Sequence, residues 1–386
     1  MQRRVFAVLF VAILATTMGI SIIEPLMAIY SESLGASGLY IGLIFAAFTI
    51  SRGLFTPIAG KLSDHHGRKR FIVAGLAAYS IASFLYIMAA DVHLLILVRL
   101  LQGLSTAFVA PLAMAYIGDI SPKNQEGRYL GTFVMSMFLG MGLGPVVGGT
   151  LNHFFHMNAA FIAMGALGIA SLALVTLMLP ELGMHKEKKP TAFLQIIRDK
   201  AIQEILLIRF ATSFGVAGFM VFLPLYATSI GLNTAQIGVI ATLNLSVTAL
   251  LQRHFGKLAD KHNKIMMIIV GNIILGATIM AIPFMRNFTA LLALNLVMGL
   301  SGALSIPANT ALAAKFGKLH GMGSVMGLLN ASFAGGMTAG PLIAGLILDM
   351  AGLTMVFVYT SIVVLGGVAV FYLFTRQNNK KLAATT

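Results

Sequence analysis

The amino-acid sequence predicts an all-α membrane protein: twelve transmembrane helices in two pseudo-symmetric six-helix bundles. Hydrophobic residues make up 58% of the 386 residues and charged ones only 10%, against about 45–50% and about 25% in soluble domains. The apolar residues are gathered in long runs, and landmark residues of the first half recur in the second half at a constant spacing. A chain of this composition needs lipid around it to shelter its apolar surface.

Twelve apolar runs, separated by short polar segments, are long enough to cross a membrane. A helix needs roughly 20 residues to span about 30 Å of hydrocarbon, and these runs lack the alternation of polar and apolar residues that is typical of a transmembrane barrel. The runs lie near residues 5–30, 37–61, 71–90, 93–118, 128–155, 157–180, 201–229, 233–257, 264–285, 288–314, 321–348 and 351–375. Each run predicts one spanning helix.

The second half of the chain repeats the first. Gly60 recurs as Gly256 and Gly144 as Gly340, so that each pair is separated by 196 residues. A fixed period on this scale indicates two copies of one structural unit. We therefore predict three regions. They are a bundle over 1–180, a cytoplasmic linker over 181–200, and a second bundle over 201–386 that ends in a short cytoplasmic tail.

The placement of Lys and Arg predicts the orientation in the membrane. If the helices cross in turn, the segments on the side of the N-terminus hold twenty-one of the 26 Lys and Arg residues, and the outer loops hold only Arg286. Cytoplasmic loops of membrane proteins carry such an excess. We expect a multi-pass protein of a bacterial-type inner membrane with both termini in the cytoplasm. The net charge of +14 is then a topology signal and does not predict nucleic-acid binding.

Three motifs carry a resemblance to a known family. In the stretch from Gly60 to Arg70, a glycine is followed four residues later by an acid, then by a second glycine and a basic cluster, and Arg99 opens a short Arg-Leu-Leu-Gln-Gly motif. The third motif comprises Gly131, Gly140, Gly144, Pro145, Gly148 and Gly149. The three resemble the loop, fourth-helix and fifth-helix motifs of the major facilitator superfamily, the last of them typical of its twelve-helix drug:proton antiporters. The resemblance covers the whole chain and implies the major facilitator fold.

The glycine-rich motif is open to two interpretations. Small residues four apart let helices approach closely in lipid, so the motif could serve ordinary packing. Its recurrence in the eleventh helix favours a seam between the two halves.

The resemblance implies that the loop motif is part of a conformational latch. Gly60, Asp64, Gly67, Arg68 and Asp119 would close the cytoplasmic side when the protein opens outward. Asp64 and Arg68 lie four residues apart, which allows them to pair across one helical turn, and Asp119 is a second acid within reach. Alternatively, these charges only set the topology.

Glu24 differs from the other acidic residues because it lies deep in an apolar run. Thr17 and Ser21 share its helical face, and Pro25 predicts the end of the helix just after it. A charge at membrane depth is costly and normally faces a cavity or a partner, and apolar surroundings favour the uncharged carboxyl. We predict that Glu24 carries the coupling proton; the alternative is a carboxylate neutralised by a cation for packing alone.

Arginines at membrane depth are further site candidates. The resemblance implies a role in proton transfer for Arg99. Arg52 and Arg209 have no motif that explains them, and they could pair with Glu24 or bind an anionic group of a substrate. The predicted substrate-binding residues are Glu24, Arg52, Arg209, Thr17, Ser21, Gln102 and Asn244.

The sequence contains no P-loop, metal-ligand cluster or serine elbow, so we expect no enzyme activity, no cofactor and no metal. We predict a secondary active transporter, a proton-coupled antiporter that exports small amphiphilic or drug-like compounds by alternating access. Its expected partners are a small-molecule substrate, protons and the lipid bilayer, without nucleic acid, and we expect a monomer. The alternatives are a proton-linked transporter of an organic anion or lipid-like metabolite, a channel, and a non-transporting sensor on the same fold.

Overall fold

The computed structural model describes residues 2–122, 125–181, 199–320 and 322–384. This part of the chain is built from α-helices and contains no β-strand. Twelve of its helical stretches are long and apolar enough to cross a membrane. Each coincides, within a few residues at either end, with one of the apolar runs, so the predicted all-α membrane fold is confirmed.

The described residues form thirteen α-helices, seven in the first half of the chain and six in the second. The first half contains α1 (Gln2–Ser33), α2 (Gly38–His66), α3 (Arg68–Leu85), α4 (Val92–Ala107), α5 (Ala110–Ile120), α6 (Glu126–Phe155) and α7 (Met157–Met178). The second half contains α8 (Lys200–Ser229), α9 (Thr234–Lys261), α10 (Lys264–Ala281), α11 (Phe288–His320), α12 (Met322–Ala351) and α13 (Leu353–Ala384). Short 3₁₀ turns follow α3 and α10.

The helix boundaries repeat at the same spacing as the sequence landmarks. Helix α3 covers residues 68–85 and α10 covers 264–281, while α6 covers 126–155 and α12 covers 322–351. Both pairs are offset by 196 residues at each end. The signals that start and stop the helices were therefore duplicated together with the glycines, as expected of two copies of one structural unit.

The chain forms two compact units. The first consists of Met1–Lys188 with Ala227–Thr242, and the second of Lys189–Tyr226 with Leu243–Thr386. In the first unit α1 packs against α6 and α7, and α2 packs against α4; in the second, α10 packs against α11 and α13. The stretch 227–242 thus groups with the first unit, although we expected it in the second bundle. Most of the predicted linker, residues 182–198, lies outside the described residues.

One predicted spanning helix is interrupted. The run 93–118 forms α4 and α5, which are separated at Phe108 and Val109. The amides of these two residues donate to the carbonyl oxygens of Ser105 and Thr106 at 3.1 and 3.2 Å, and Pro111 lies in the first turn of α5. In membranes such irregular backbone occurs where it is buried in protein or lines a cavity.

The prediction that the first helix ends at Pro25 is wrong, because α1 continues through this residue to Ser33. A proline in a helix removes its own N–H donor and thus one hydrogen bond, to the carbonyl of the residue four positions earlier. Transmembrane helices tolerate this loss where neighbouring groups satisfy the freed backbone. Glu24 therefore lies within the helix and not at its end.

Candidate functional site

A small cavity in the first unit brings together four of the predicted site residues. Helices α1, α2 and α6 and the interruption between α4 and α5 enclose about 80 Å³. Its lining comprises Ile13, Thr16, Thr17, Ile20, Ser21, Glu24, Phe48, Arg52, Thr106, Val109, Ala110, Met137 and Met141. The interrupted backbone near Val109 thus lines a cavity, which accounts for its tolerance at membrane depth. The cavity is our candidate site.

The position of Glu24 follows from the packing of α1. Ile22, Ile23 and Leu26 are at most 1% exposed and belong to the apolar core between α1, α2, α3, α4 and α7. On the opposite face Thr17 and Ser21 meet α6, and Glu24 follows them toward the C-terminal end of the helix. The only acid at this depth among the described residues is therefore held against the cavity by buried neighbours on the same helix.

Glu24 and Arg52 line the same cavity without touching each other. Within the part of the chain that the structure describes, neither side chain takes part in a hydrogen bond or in an ion pair of 4.0 Å or less. Glu24 is attracted electrostatically to Arg99 and, less strongly, to Arg52. The contact pairing that we considered for Glu24 and Arg52 is thus not present, and both groups stay open to the cavity.

Arg99 lies in a separate polar cluster behind the cavity. Its side chain is 1% exposed, and Nη1 donates to Oε1 of Gln102 at 3.0 Å. The same oxygen accepts a hydrogen bond of 2.6 Å from the Tyr86 hydroxyl. The guanidinium carbon lies 5.1 Å from the ring centre of Phe45 and 5.8 Å from that of Phe48. Gln102 thus holds Arg99 and does not line the cavity itself.

Two donors of Arg99 remain without a partner. Nε and Nη2 are buried and make no hydrogen bond with any described residue, although unpaired polar groups in a protein interior are costly. Phe48 both lines the cavity and packs beside this guanidinium. It therefore stands between the free donors of Arg99 and the cavity that Glu24 faces.

Two of the predicted binding residues belong to the second unit. The guanidinium carbon of Arg209 on α8 lies 4.4 Å from the ring centre of Phe333, and its Nε has no hydrogen-bond partner in the described chain. The Asn244 amide on α9 donates to the carbonyl oxygen of Asn295 at 2.9 Å. Asn244 therefore fastens two helices of its own unit, whereas Arg209 is held by an aromatic ring.

The loop-motif charges form a compact cluster at the end of α2. Arg68, the first residue of α3, contacts Asp64 on α2 through Nη2 at 2.9 Å and Asp119 on α5 through Nε at 2.5 Å. Gly67 joins the two helices with a φ of +93°, which glycine adopts without strain. Arg68 thus ties α3 to both neighbours, while open space surrounds Gly60. The pairing that the spacing allowed is present; its role as a latch stays a prediction.

Most glycines of the fifth-helix motif lie against α1 within the first unit. A Cβ atom at Gly140 would collide with the backbone of Leu14 and Met18, one at Gly144 with Ser21, and one at Gly148 with Ile22. These three glycines bring α6 into close contact with the helix that carries Glu24.

The remaining residues of the motif differ from one another in surroundings. Gly149 lies against Thr234 and Gly238, which group with the first unit, and Gly131 has open space around it. Helix α6 continues through Pro145. Gly140, Gly144 and Gly148 thus pack against α1, while Gly149 contacts residues from the second half of the chain. The interpretation of the motif as a seam between the two halves stays a prediction.

The sequence did not single out the apolar residues of the cavity. Phe48 precedes Arg52 by four residues, and Met137 and Met141 are also four apart, so each pair shares a helical face. This spacing is visible in the sequence, but many apolar residues of a membrane helix have the same spacing, so it does not identify cavity-lining residues. Only the structure separates residues that line a cavity from those that face lipid.

The family model of the Major Facilitator Superfamily matches residues 9–206 and 205–385. The chain belongs to the Major Facilitator Superfamily. An uncharacterized transporter of this superfamily from Methanocaldococcus jannaschii is 32% identical over 370 residues, which cover 94% of this chain and 95% of its own. The quinolone resistance protein NorA of Staphylococcus aureus is 27% identical and is covered, like this chain, over 91% of its length.

Solved structures of superfamily transporters share the fold. A bacterial homologue of the human lysosomal transporter Spinster matches with a TM-score of 0.84 and 16% sequence identity, covering 97% of both chains. The chain is therefore a multi-pass membrane protein of a transporter superfamily.

Proposed function

We propose that this superfamily member is a proton-coupled antiporter that exports small amphiphilic or drug-like compounds by alternating access. It would act as a monomer in a bacterial-type inner membrane with both termini in the cytoplasm. Support for export comes from relatives of 26–28% identity that are named as drug resistance or efflux proteins, NorA among them. Two copies of a six-helix unit suit a cycle in which the two halves move around a site in the membrane.

The observation that carries the proposal is the state of Glu24. Its carboxyl lines a cavity at membrane depth and has no hydrogen bond or ion pair with a described residue. A structural acid at this depth would be paired, because an isolated charge in the membrane is costly. An unpaired acid that opens to a cavity is suited to gain a proton on one side of the membrane and to lose it on the other.

The surrounding cations suggest how proton and substrate exclude each other. Arg52 lines the cavity with Glu24, and Arg99 lies behind Phe48, so loss of the proton from Glu24 creates an anionic site near two cations. A cationic group of the substrate would compete with the proton for this site. Arg99 has two free donors behind Phe48 and would contact Glu24 only after the ring moves.

The experiment is transport by purified protein in lipid vesicles with an imposed pH gradient, measured against a panel of amphiphilic compounds. The wild type should accumulate at least one compound when the gradient is present and stop when an ionophore collapses it. Glu24→Gln keeps the shape of the side chain and removes the titrating group, so it should abolish gradient-driven accumulation.

Glu32→Gln is the matched control, because Glu32 lies on the same helix but is exposed at its end. It should transport like the wild type. Gradient-driven transport by Glu24→Gln at the wild-type rate would show that the proton uses another group. If the transport rates of the wild type and of both variants did not depend on the pH gradient, proton coupling would be contradicted.

A further inference from the structure

Arg52 is the second charged residue that lines the cavity. Its guanidinium lines the same 80 Å³ as the Glu24 carboxyl, and it makes no hydrogen bond or ion pair within the described residues. We propose that this cavity is a head-group site for zwitterionic amphiphiles, with the ligand's cation on Glu24 and its anion on Arg52. The inference rests on the proposed function, since it names the substrate class of the same site.

The separation of the two charges is the first argument. Arg52 and Glu24 attract each other electrostatically, yet no pair of their nitrogen and oxygen atoms comes within 4.0 Å. In direct contact the two groups would neutralise each other and leave nothing for a ligand. A gap between them keeps the guanidinium donors and the carboxylate acceptors available to a ligand that carries both complementary groups.

The neighbouring threonines do not neutralise these charges. The hydroxyls of Thr16 and Thr17 donate to carbonyl oxygens of their own helix, Ala12 and Ile13, at 2.7 Å each. Their donors are therefore used within α1, and the two charged groups that line the cavity are the Glu24 carboxyl and the Arg52 guanidinium.

The size and lining of the cavity limit what can bind. The cavity offers about 80 Å³, several times the roughly 10–15 Å³ that one water molecule needs, so a charged head group can enter it. The apolar part of the ligand must contact the apolar lining, where Met137, Met141 and Phe48 lie. Methionine side chains adapt to different shapes. The site would therefore select the head group strictly and the tail loosely.

Singly charged ligands would bind less well for an electrostatic reason. A ligand with only a cation pairs with Glu24 and leaves the desolvated Arg52 without a partner, and one with only an anion does the converse. Burying one charge of a pair without its partner is strongly unfavourable. Since a hydrogen bond to a charged group contributes about 1.5–3 kcal/mol, the expected preference for a zwitterion is roughly ten- to hundredfold in Kd.

The test compares three probes whose straight alkyl tails are of nearly equal length: N-decyl-N,N-dimethylglycine, decyltrimethylammonium and decanoate. Binding to full-length protein in lipid nanodiscs is measured by calorimetry at constant pH and without any gradient. The zwitterionic probe should bind the wild type at least tenfold more tightly than either of the others. Equal affinity for the zwitterion and decyltrimethylammonium would overturn the proposal.

Two substitutions assign each half of the head group. Arg52→Gln should remove the preference over decyltrimethylammonium, and Glu24→Gln should remove the preference over decanoate. Arg128→Gln and Glu32→Gln, both at exposed positions, should leave both preferences intact. If Arg52→Gln weakened all three probes equally, Arg52 would have a structural role and the proposal would be wrong.

The result of this binding test can be distinguished from the result of the transport test of the proposed function. Each variant is first shown to be monodisperse and to melt at the wild-type temperature, and Arg52→Lys, which keeps the charge, should retain part of the zwitterion preference. Preferential binding of the zwitterion without gradient-driven transport would contradict only the antiport. Transport driven by the gradient without preference for the zwitterion would contradict only this inference.

Discussion

Helices α3 and α6 of the first unit and their counterparts α10 and α12 in the second begin and end at corresponding residues, but the two units carry different side chains at membrane depth. One carboxyl and two guanidinium groups of the first unit are replaced in the second by a thioether, a hydroxyl and an amide. The pairs are Glu24 and Met220, Arg52 and Thr248, and Arg99 and Asn295. Because the second unit builds the same helices without these charges, they are not needed for the fold. Their cost in lipid therefore indicates a function.

The ends of the helices show the same divergence. Arg68 in the first unit lies between two acids, whereas Lys264 and Lys315 occupy the sequence positions of Arg68 and Asp119 in the second. An opposite-charge pair in one copy has thus become two like charges in the other. The Arg68–Asp119 pair therefore has no counterpart at the corresponding two positions of the second unit.

Two of the packing glycines, in contrast, were kept in both copies with corresponding contacts, Gly140 as Gly336 and Gly144 as Gly340. A Cβ atom at Gly144 would meet Ser21 and Met18 of α1, and one at Gly340 would meet Phe214 of α8. The shared part of the two units is thus the close helix packing, and the part that differs is the charge. Substitutions of the two kinds should therefore behave differently.

The largest expected effect separates Glu24 from its counterpart Met220. Glu24→Gln should reduce gradient-driven export to background, while Met220→Gln should retain it. Adding Met220→Glu to Glu24→Gln should not restore transport, because the second unit supplies no equivalents of Arg52 and Arg99. The measurement is compound uptake by inverted vesicles. Restoration of transport by Met220→Glu would show that the two units do not differ in this function.

Valine substitutions of the packing glycines should act alike in both units. Gly144→Val and Gly340→Val each force a side chain into a neighbouring helix and should destabilise the protein by about 1–3 kcal/mol or more. Gly131→Val is the control, since open space surrounds Gly131. Thermal unfolding in detergent measures the three variants. A large loss for one packing glycine and none for its counterpart would contradict the shared packing.

A smaller effect is expected at the charges around Arg68. Arg68 and Asp119 are 13% and 15% exposed, and a hydrogen bond to a charged group contributes about 1.5–3 kcal/mol. Asp119→Asn should favour the inward-open state about tenfold or more. Asp64→Asn should do so less strongly, since Asp64 is 36% exposed.

The readout is the labelling rate of single cysteines placed on the side of the membrane where the Arg68 cluster lies. The absence of native cysteine makes this readout unambiguous. Lys315→Gln in the second unit should leave the rate unchanged. Unaltered labelling in Asp119→Asn would show that the Arg68 cluster only sets the topology.

Much of the fold was predictable because lipid imposes few solutions on the backbone. Run lengths and the repeat spacing predicted the spanning segments, since each must satisfy its own hydrogen bonds. The interruption at Phe108 was not predictable. Pro111 recurs as Pro307, yet α11 continues through Pro307, so the proline alone does not decide whether a helix breaks.

The candidate site was predictable in its charges and not in its apolar part. Glu24 and Arg52 stand out in sequence because charges are rare at this depth. Met137 and Phe48 do not stand out, because apolar residues are common throughout the membrane-spanning runs. Gln102, a predicted substrate-binding residue, accepts a hydrogen bond from Arg99. The sequence did not indicate this contact, because it depends on the direction in which the Gln102 side chain points from its helix.

The measurement that tests the central claim most directly is proton release on ligand binding. Purified protein in weakly buffered detergent solution is mixed with a compound identified in the vesicle screen, and the change in pH is recorded with an indicator dye. The wild type and Glu32→Gln should release protons when the compound binds, and Glu24→Gln should bind without release. Undiminished proton release from Glu24→Gln would contradict the assignment of Glu24 as the coupling group.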